Sequence, residues 1–91
     1  MRIPVYTRQF ERDIKRVRKR GKNLEKFKII ARALIGGNKL DPLHRDHPLV
    51  GSYAGRRECH IEADWLLIYK LEEDRIIFER TGSHTDLFKS K

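Results

Sequence analysis

In "HPLVGSYAGRRECHIEADW", residues 47–65, His47 precedes a proline and a glycine-punctuated loop, and Glu58, His60 and Asp64 follow within seven positions of one another. With His44 and His84 these are the groups best suited to moving protons near neutrality, because an imidazole with an unperturbed pKa of about 6.5 keeps both of its forms available. The sequence holds no GxxxxGK[ST] phosphate loop, no GxGxxG and no GxSxG. A chemistry that needs only histidines and carboxylates is RNA cleavage by the RNA's own 2′-OH. A base removes the hydroxyl proton, the oxygen attacks the adjacent phosphorus, and an acid protonates the departing 5′-oxygen. A guanidinium, from Arg56, Arg57 or Arg80, would neutralise charge building on the phosphoryl oxygens. Taken singly, each histidine is better explained as a surface or structural residue than as a catalyst.

Metal binding is the rival use of the same side chains. His44-x-x-His47 with Cys59, His60 or His84 offers zinc-ligand types. The second pair would then be Cys59 and His60, neighbours on a strand whose side chains point to opposite faces. No metal and no cofactor is therefore expected.

Charge says what such a site would meet. Residues 1–45 hold 14 Lys+Arg against 4 Asp+Glu, whereas residues 46–91 hold 7 against 9. Within "KRVRKRGK", residues 15–22, six of eight residues are cationic: Lys15, Arg16, Arg18, Lys19, Arg20 and Lys22. A face that only keeps a small domain soluble usually intersperses acids, so this one is expected to meet a polyanion. Lys15, Arg16, Arg18, Lys19 and Arg20 are its candidate RNA-binding residues.

The elements that must position these groups are legible in the pattern. "RIPVYT" reads as a first strand with Thr7 as N-cap of the next helix, where Phe10, Ile14 and Val17 recur at helical spacing until Gly21. Asn23 caps a second helix with the stripe Leu24, Phe27, Ile30, Ala31, Leu34, ending at Gly36-Gly37. Residues 38–55 read as a long loop, the kind that often carries function. "RRECHI", "WLLIYKL" and "RIIFERT" read as an antiparallel meander with a buried central strand. If the first turn is Glu62-Ala63, Glu58, His60 and Trp65 share one face, while Cys59, Ile61, Leu66 and Ile68 pack on the helices; a one-residue slip exchanges the faces. Ser83 caps a short terminal turn. The fold class is α+β, ordered β-α-α-β-β-β, a helix hairpin on a small, mainly antiparallel sheet.

At 91 residues, 38% hydrophobic and 37% charged, the chain is expected to form a single domain over residues 1–91. Its longest apolar run, Trp65–Tyr69, is far short of the roughly 20 residues of a membrane span, and the N-terminus lacks an export-type apolar region. The lone Cys59 cannot form an intrachain disulfide. A cytoplasmic protein with no membrane partner is expected.

"DHPLVGSYAGRRECHIEADWLLIYKL", residues 46–71, and "FERTGSHTDLF", residues 78–88, resemble the YafQ branch of the RelE/ParE superfamily of type II toxin–antitoxin systems. The resemblance implies a RelE-like fold and a ribosome-dependent endoribonuclease that cuts mRNA in the decoding A site. It implies silencing by a DinJ-type antitoxin, a DNA-binding dimer, in a 2:2 complex. The family's catalytic positions fall on His47, His60, Asp64, His84 and Phe88. Glu58 stands where members often carry Asp, and Ala63 where they often carry Pro. On this reading His47 or His60 is the base, His84 the acid, Asp64 orients an imidazole and favours its charged form, and Phe88 stacks on or positions the substrate. A ParE-like toxin without RNase chemistry, and a basic RNA-binding module with incidental histidines, are the alternatives.

Overall fold

The computed structural model describes residues 1–88, so the last three residues of the expected domain lie outside it. Strand β1 (Ile3–Tyr6) leads through Thr7 into α1 (Arg8–Lys19), and α2 (Leu24–Ile35) returns antiparallel to it. Thr7 Oγ1 accepts from Phe10 N–H at 2.9 Å, and Asn23 Oδ1 accepts from Glu25 N–H at 3.0 Å, so both helix starts are capped as their sequence predicts. The sheet continues with β2 (His47–Pro48), β3 (Arg57–Glu62), β4 (Trp65–Leu71) and β5 (Arg75–Gly82), and a four-residue helix α3 (His84–Leu87) follows. Strand order is β1-β5-β4-β3-β2; β1 runs parallel to β5 and all other pairs are antiparallel.

The helix hairpin covers one sheet face. Phe10 and Val17 of α1 and Phe27, Ile30, Ala31 and Leu34 of α2 pack against Cys59, Ile61, Trp65, Leu67, Tyr69, Ile76 and Phe78. Burying each large apolar side chain contributes about 1.5–3 kcal/mol. On the opposite face Leu66, Ile68 and Leu87 form a smaller cluster, with Leu49 and Tyr53 against it. Burial on both faces explains why β4 reads as a continuous apolar run.

Two expectations are corrected. The β3–β4 turn is Ala63-Asp64, not Glu62-Ala63, and the register shifts between His60 and Glu62 so that Glu62 lies opposite Trp65. Trp65 therefore sits with Cys59 and Ile61 under the helices, and Leu66 and Ile68 share the face of Glu58 and His60. The indole gains full burial there and donates from Nε1 to Thr81 Oγ1 at 2.9 Å. The segment 38–55 is also more ordered than a long loop. It holds 3₁₀ turns at Pro42–His44 and Gly51–Tyr53, and its two residues of β2 extend the sheet to five strands. The buried Tyr69 hydroxyl donates to Asp46 Oδ1 at 2.5 Å and pins this segment to β4 just before His47.

Where β1 ends, α1 takes over the edge of β5. Asp13, fully buried, accepts the Thr81 backbone N–H at 3.1 Å, Arg80 Nε–H at 2.8 Å and Arg16 Nη2–H at 2.8 Å. A buried carboxylate is tolerated because these donors surround it. Among the described residues no helix is long and apolar enough to cross a membrane.

Candidate active site

Cross-strand register collects the titratable groups on the face away from the helices. His47 pairs with Glu58, Glu58 with Ile68, and Ile68 with Arg80, a row across four strands; His60 lies two residues along β3 from Glu58. Residues opposite one another in a sheet share a face. His47 Nε2 lies 3.0 Å from Glu58 Oε1, and His60 Nε2 lies 3.7 Å from the same oxygen. The Glu58 side chain is buried between them, whereas His47 is exposed.

The third histidine arrives from the other end of the sheet. His84 opens α3, and its ring centroid is 5.7 Å from that of His60, nearly perpendicular at 65°. Asp64, in the β3–β4 turn, accepts both the His84 backbone N–H at 2.9 Å and its Nδ1–H at 2.6 Å. The backbone N–H first, and the imidazole second, hold the Asp64 carboxyl below its ordinary value. Because Nδ1 is committed to a carboxylate, Nε2 is the nitrogen left for chemistry.

A capping box and an arginine clamp fix α3. Ser83 and Asp86 form a reciprocal capping box, and Arg20 donates to both Asp86 oxygens. Gly82 stands at φ +156°, where an added Cβ would come within 2.8 Å of Asp86 Oδ2. The glycine lets the chain pass close enough to close the box. Phe88, partly exposed at the end of α3, meets Tyr53 edge to face at 5.6 Å between centroids.

The expected phosphate contacts divide. Arg80 lies in the row above and is held by Asp13, and Arg56 Nε–H donates to Glu79 Oε1 at 2.8 Å. Arg57 is not part of the cluster. Register places it opposite Tyr69, on the helix side, where it donates to Asp46 at 3.2 Å. In α1 and at its C-cap, Arg16 and Arg20 are bound to carboxylates, while Lys15, Arg18 and Lys19 are exposed.

Tyr53 as a site residue, and the link made by His44, escaped the sequence reading. Tyr53 belongs to the aromatic pair with Phe88; its one signal was an aromatic between Gly51 and Gly55. His44 Nδ1–H donates to the His60 carbonyl at 2.7 Å, a link no local pattern announces. A metal-ligand set was likewise missed. One ligand atom each from His47, Glu58 and His60 lie within 4.8 Å of one another, two imidazoles and a carboxylate suited to a first-row divalent ion. Cys59 takes no part, because it faces the helices and burial pushes its thiol up to about 12.

Residues 2–89 match the model of a family described as bacterial toxins of type II toxin–antitoxin systems, YafQ. The chain is 44% identical over 84 residues to the mRNA interferase toxin YafQ of Escherichia coli strain K12, covering 91% of each chain. Among solved structures it is similar to a chain of the E. coli DinJ–YafQ complex, with a TM-score of 0.90 and 43% identity over 97% of this chain and 99% of that one. A metal-bound toxin from Helicobacter pylori gives a TM-score of 0.90 at 33% identity, over 97% of this chain and all of the other.

Proposed function

The chain belongs to the YafQ family of bacterial type II toxins, and from that membership we propose that it is an mRNA interferase acting in the ribosomal A site. Residues 1–91 act as one cytoplasmic domain that cleaves RNA by 2′-OH attack and is silenced by a DinJ-type antitoxin. The observation that carries this reading is the facing pair His60 and His84, 5.7 Å apart, with Asp64 fixing the tautomer of His84.

His60 takes the 2′-OH proton and the 2′-oxygen attacks phosphorus. His84 delivers a proton from Nε2 to the departing 5′-oxygen as the P–O5′ bond breaks, leaving a 2′,3′-cyclic phosphate and a 5′-OH. The hydrogen bonds of His47 support giving the base role to His60. Its Nε2 faces Glu58 and its Nδ1 faces the Pro48 carbonyl at 3.1 Å, so both nitrogens are directed at acceptors. His47 and Glu58 then bound the site and keep His60 oriented. Arg80, preset by Asp13, stabilises charge on the phosphoryl oxygens, and Phe88 with Tyr53 offers a face on which a base stacks.

The exposed cations of α1 suit ribosomal phosphates, and the same basic surface suits an acidic antitoxin segment that folds across it. The deciding experiment programs ribosomes with a defined message and adds the purified toxin. Cleavage that needs ribosomes, leaves a 2′,3′-cyclic phosphate and stops when the scissile nucleotide is 2′-deoxy is the expected result. Toxicity without cleavage, or cleavage of the 2′-deoxy message, would refute the reading. Co-expression with a DinJ-type antitoxin should yield a tight complex and relieve growth arrest.

A further inference from the structure

His60 and His84 also form one wall of a concavity that the reaction above leaves unused. It measures about 620 Å³, and Lys26, His44, Arg45 and Glu62 line the rest of the part that matters here. Glu62 is already held by Lys22 at 2.9 Å and Lys26 at 2.7 Å, one carboxylate between two ammonium groups, so the wall keeps a positive excess. His44 Nδ1–H is spent on the His60 carbonyl, which leaves Nε2 as the atom that, in the imidazolium form, donates to an anionic ligand.

Arg45 is the unusual member. It adopts φ 48° and ψ 46° at the end of the Pro42–His44 turn, and among the described residues it is the one non-glycine with positive φ. Glycine or asparagine takes that conformation at lower cost, so an arginine there runs against local preference. Strain of this kind clusters where a side chain has a task. Arg16, Arg20, Arg56, Arg57 and Arg80 each have a carboxylate partner. Among the described residues Arg45, like Arg2, Arg8, Arg12, Arg18 and Arg32, has none, and of these six it alone lines the cavity.

We propose that this cavity is a second phosphate subsite, in which Arg45 and Lys26, completed by His44, hold the backbone phosphate next to the scissile one. The inference rests on the RNA-cleavage reading. A strand whose scissile phosphate lies between His60 and His84 must leave the pair on one side, and the cavity is continuous with both rings. Its lining is cationic and, histidines apart, holds no aromatic ring, which suits a phosphate better than a stacked base.

The test uses programmed ribosomes, with the phosphate on either side of the scissile one replaced in turn by a neutral methylphosphonate. Wild type is compared with Arg45→Gly and Arg45→Asn, both compatible with the left-handed backbone. Each variant should keep or raise Tm and need about tenfold to a hundredfold more toxin for half-maximal single-turnover cleavage. One of the two methylphosphonates should cost wild type a similar factor and the variants almost nothing further. Equal penalties on wild type and variants, or a half-saturating concentration that neither variant changes, would overturn the subsite. A fall in Tm in both variants would also overturn it, by making Arg45 structural. If wild type cuts no message, the cleavage reading fails and the subsite with it; cleavage without this coupling removes the subsite alone.

Discussion

Arg20 grips Asp86 with both terminal nitrogens, at 2.6 and 3.1 Å, and so ties the end of α1 to the short helix that carries His84. Part of the basic run is therefore structural. Arg16 and Arg20 serve Asp13 and Asp86, while Lys15, Arg18 and Lys19 point to solvent.

The two groups should separate on substitution. Lys15, Arg18 and Lys19 changed together to Gln should weaken ribosome association and reduce the slope of log affinity against log salt by roughly three, about 0.9 per lost contact. Arg20→Gln should leave that slope closer to wild type, lower cleavage per bound toxin and reduce hydrogen-exchange protection in α3. An unchanged slope in the triple variant would reduce that face to a solubility device.

Asp86 makes the same anchor sensitive to acid. The Arg20 hydrogen bond, with the Ser83 backbone N–H in support, holds its carboxyl far below the ordinary range despite partial burial. A carboxylate depressed in the folded state stabilises above the unfolded value, about 3.9, and loses that contribution as pH falls towards the folded one. Asp86→Ala should cost on the order of 1 kcal/mol at pH 7, the size of a lost helix cap. The gap from wild type should close below about pH 4. Urea unfolding across pH measures it, and a gap that stays constant from pH 7 to pH 2 would detach Asp86 from acid stability.

What the sequence discloses and what it hides follow from range. Thr7, Asn23 and Ser83 act as caps on atoms two or three residues away, so local chemistry announces them. The helical stripes of Phe10 and Val17 and of Phe27, Ile30 and Leu34 mark the buried faces for the same reason. The face of Trp65 was not legible, because a turn offset of one residue is decided by burial of the indole and its bond to Thr81. The pairs Arg20–Asp86 and Arg80–Asp13 span 66 and 67 positions. In a chain with 21 Lys+Arg, nothing local says which cation meets which acid. The histidines and Asp64 were legible as residue types, but the partnering of Asp64 with His84 and of Glu58 with His47 needed the register.

The anchor before His47 gives a test of positioning. Tyr69→Phe removes the donor to Asp46 and leaves that carboxylate short of a partner, which should cost about 1–3 kcal/mol. Protection should fall first around β2. Uniform loss of protection across the sheet would mean that Tyr69 supports the core alone.

His47, Glu58 and His60 sit close enough to ligate a metal, yet ligation and proton abstraction need the same imidazole lone pair. Zinc or copper added to wild type should therefore inhibit cleavage. Chelation at constant magnesium, with intact ribosomes, should leave it unchanged. Loss on chelation that zinc selectively restores would give the metal a catalytic part.

The His60 and His84 pair separates chemistry from fold most directly. Glutamine keeps polarity and approximate size but cannot exchange a proton near neutrality, so His60→Gln and His84→Gln should each lose about 10²–10⁴-fold in single-turnover cleavage. Both variants should still fold and bind ribosome and antitoxin. In His84→Gln the bond from the residue 84 backbone N–H to Asp64 can persist, since it does not use the ring. Asp64→Asn should cost less than His84→Gln, because an amide oxygen can still accept from that N–H while the charge beside the imidazole is gone. The wild-type rate should bend on both sides of neutrality, as two proton-transferring groups require, and each histidine variant should lose one limb of the profile. Near wild-type rates in both variants would move the site elsewhere on the sheet. Loss of folding in both would make the two rings structural.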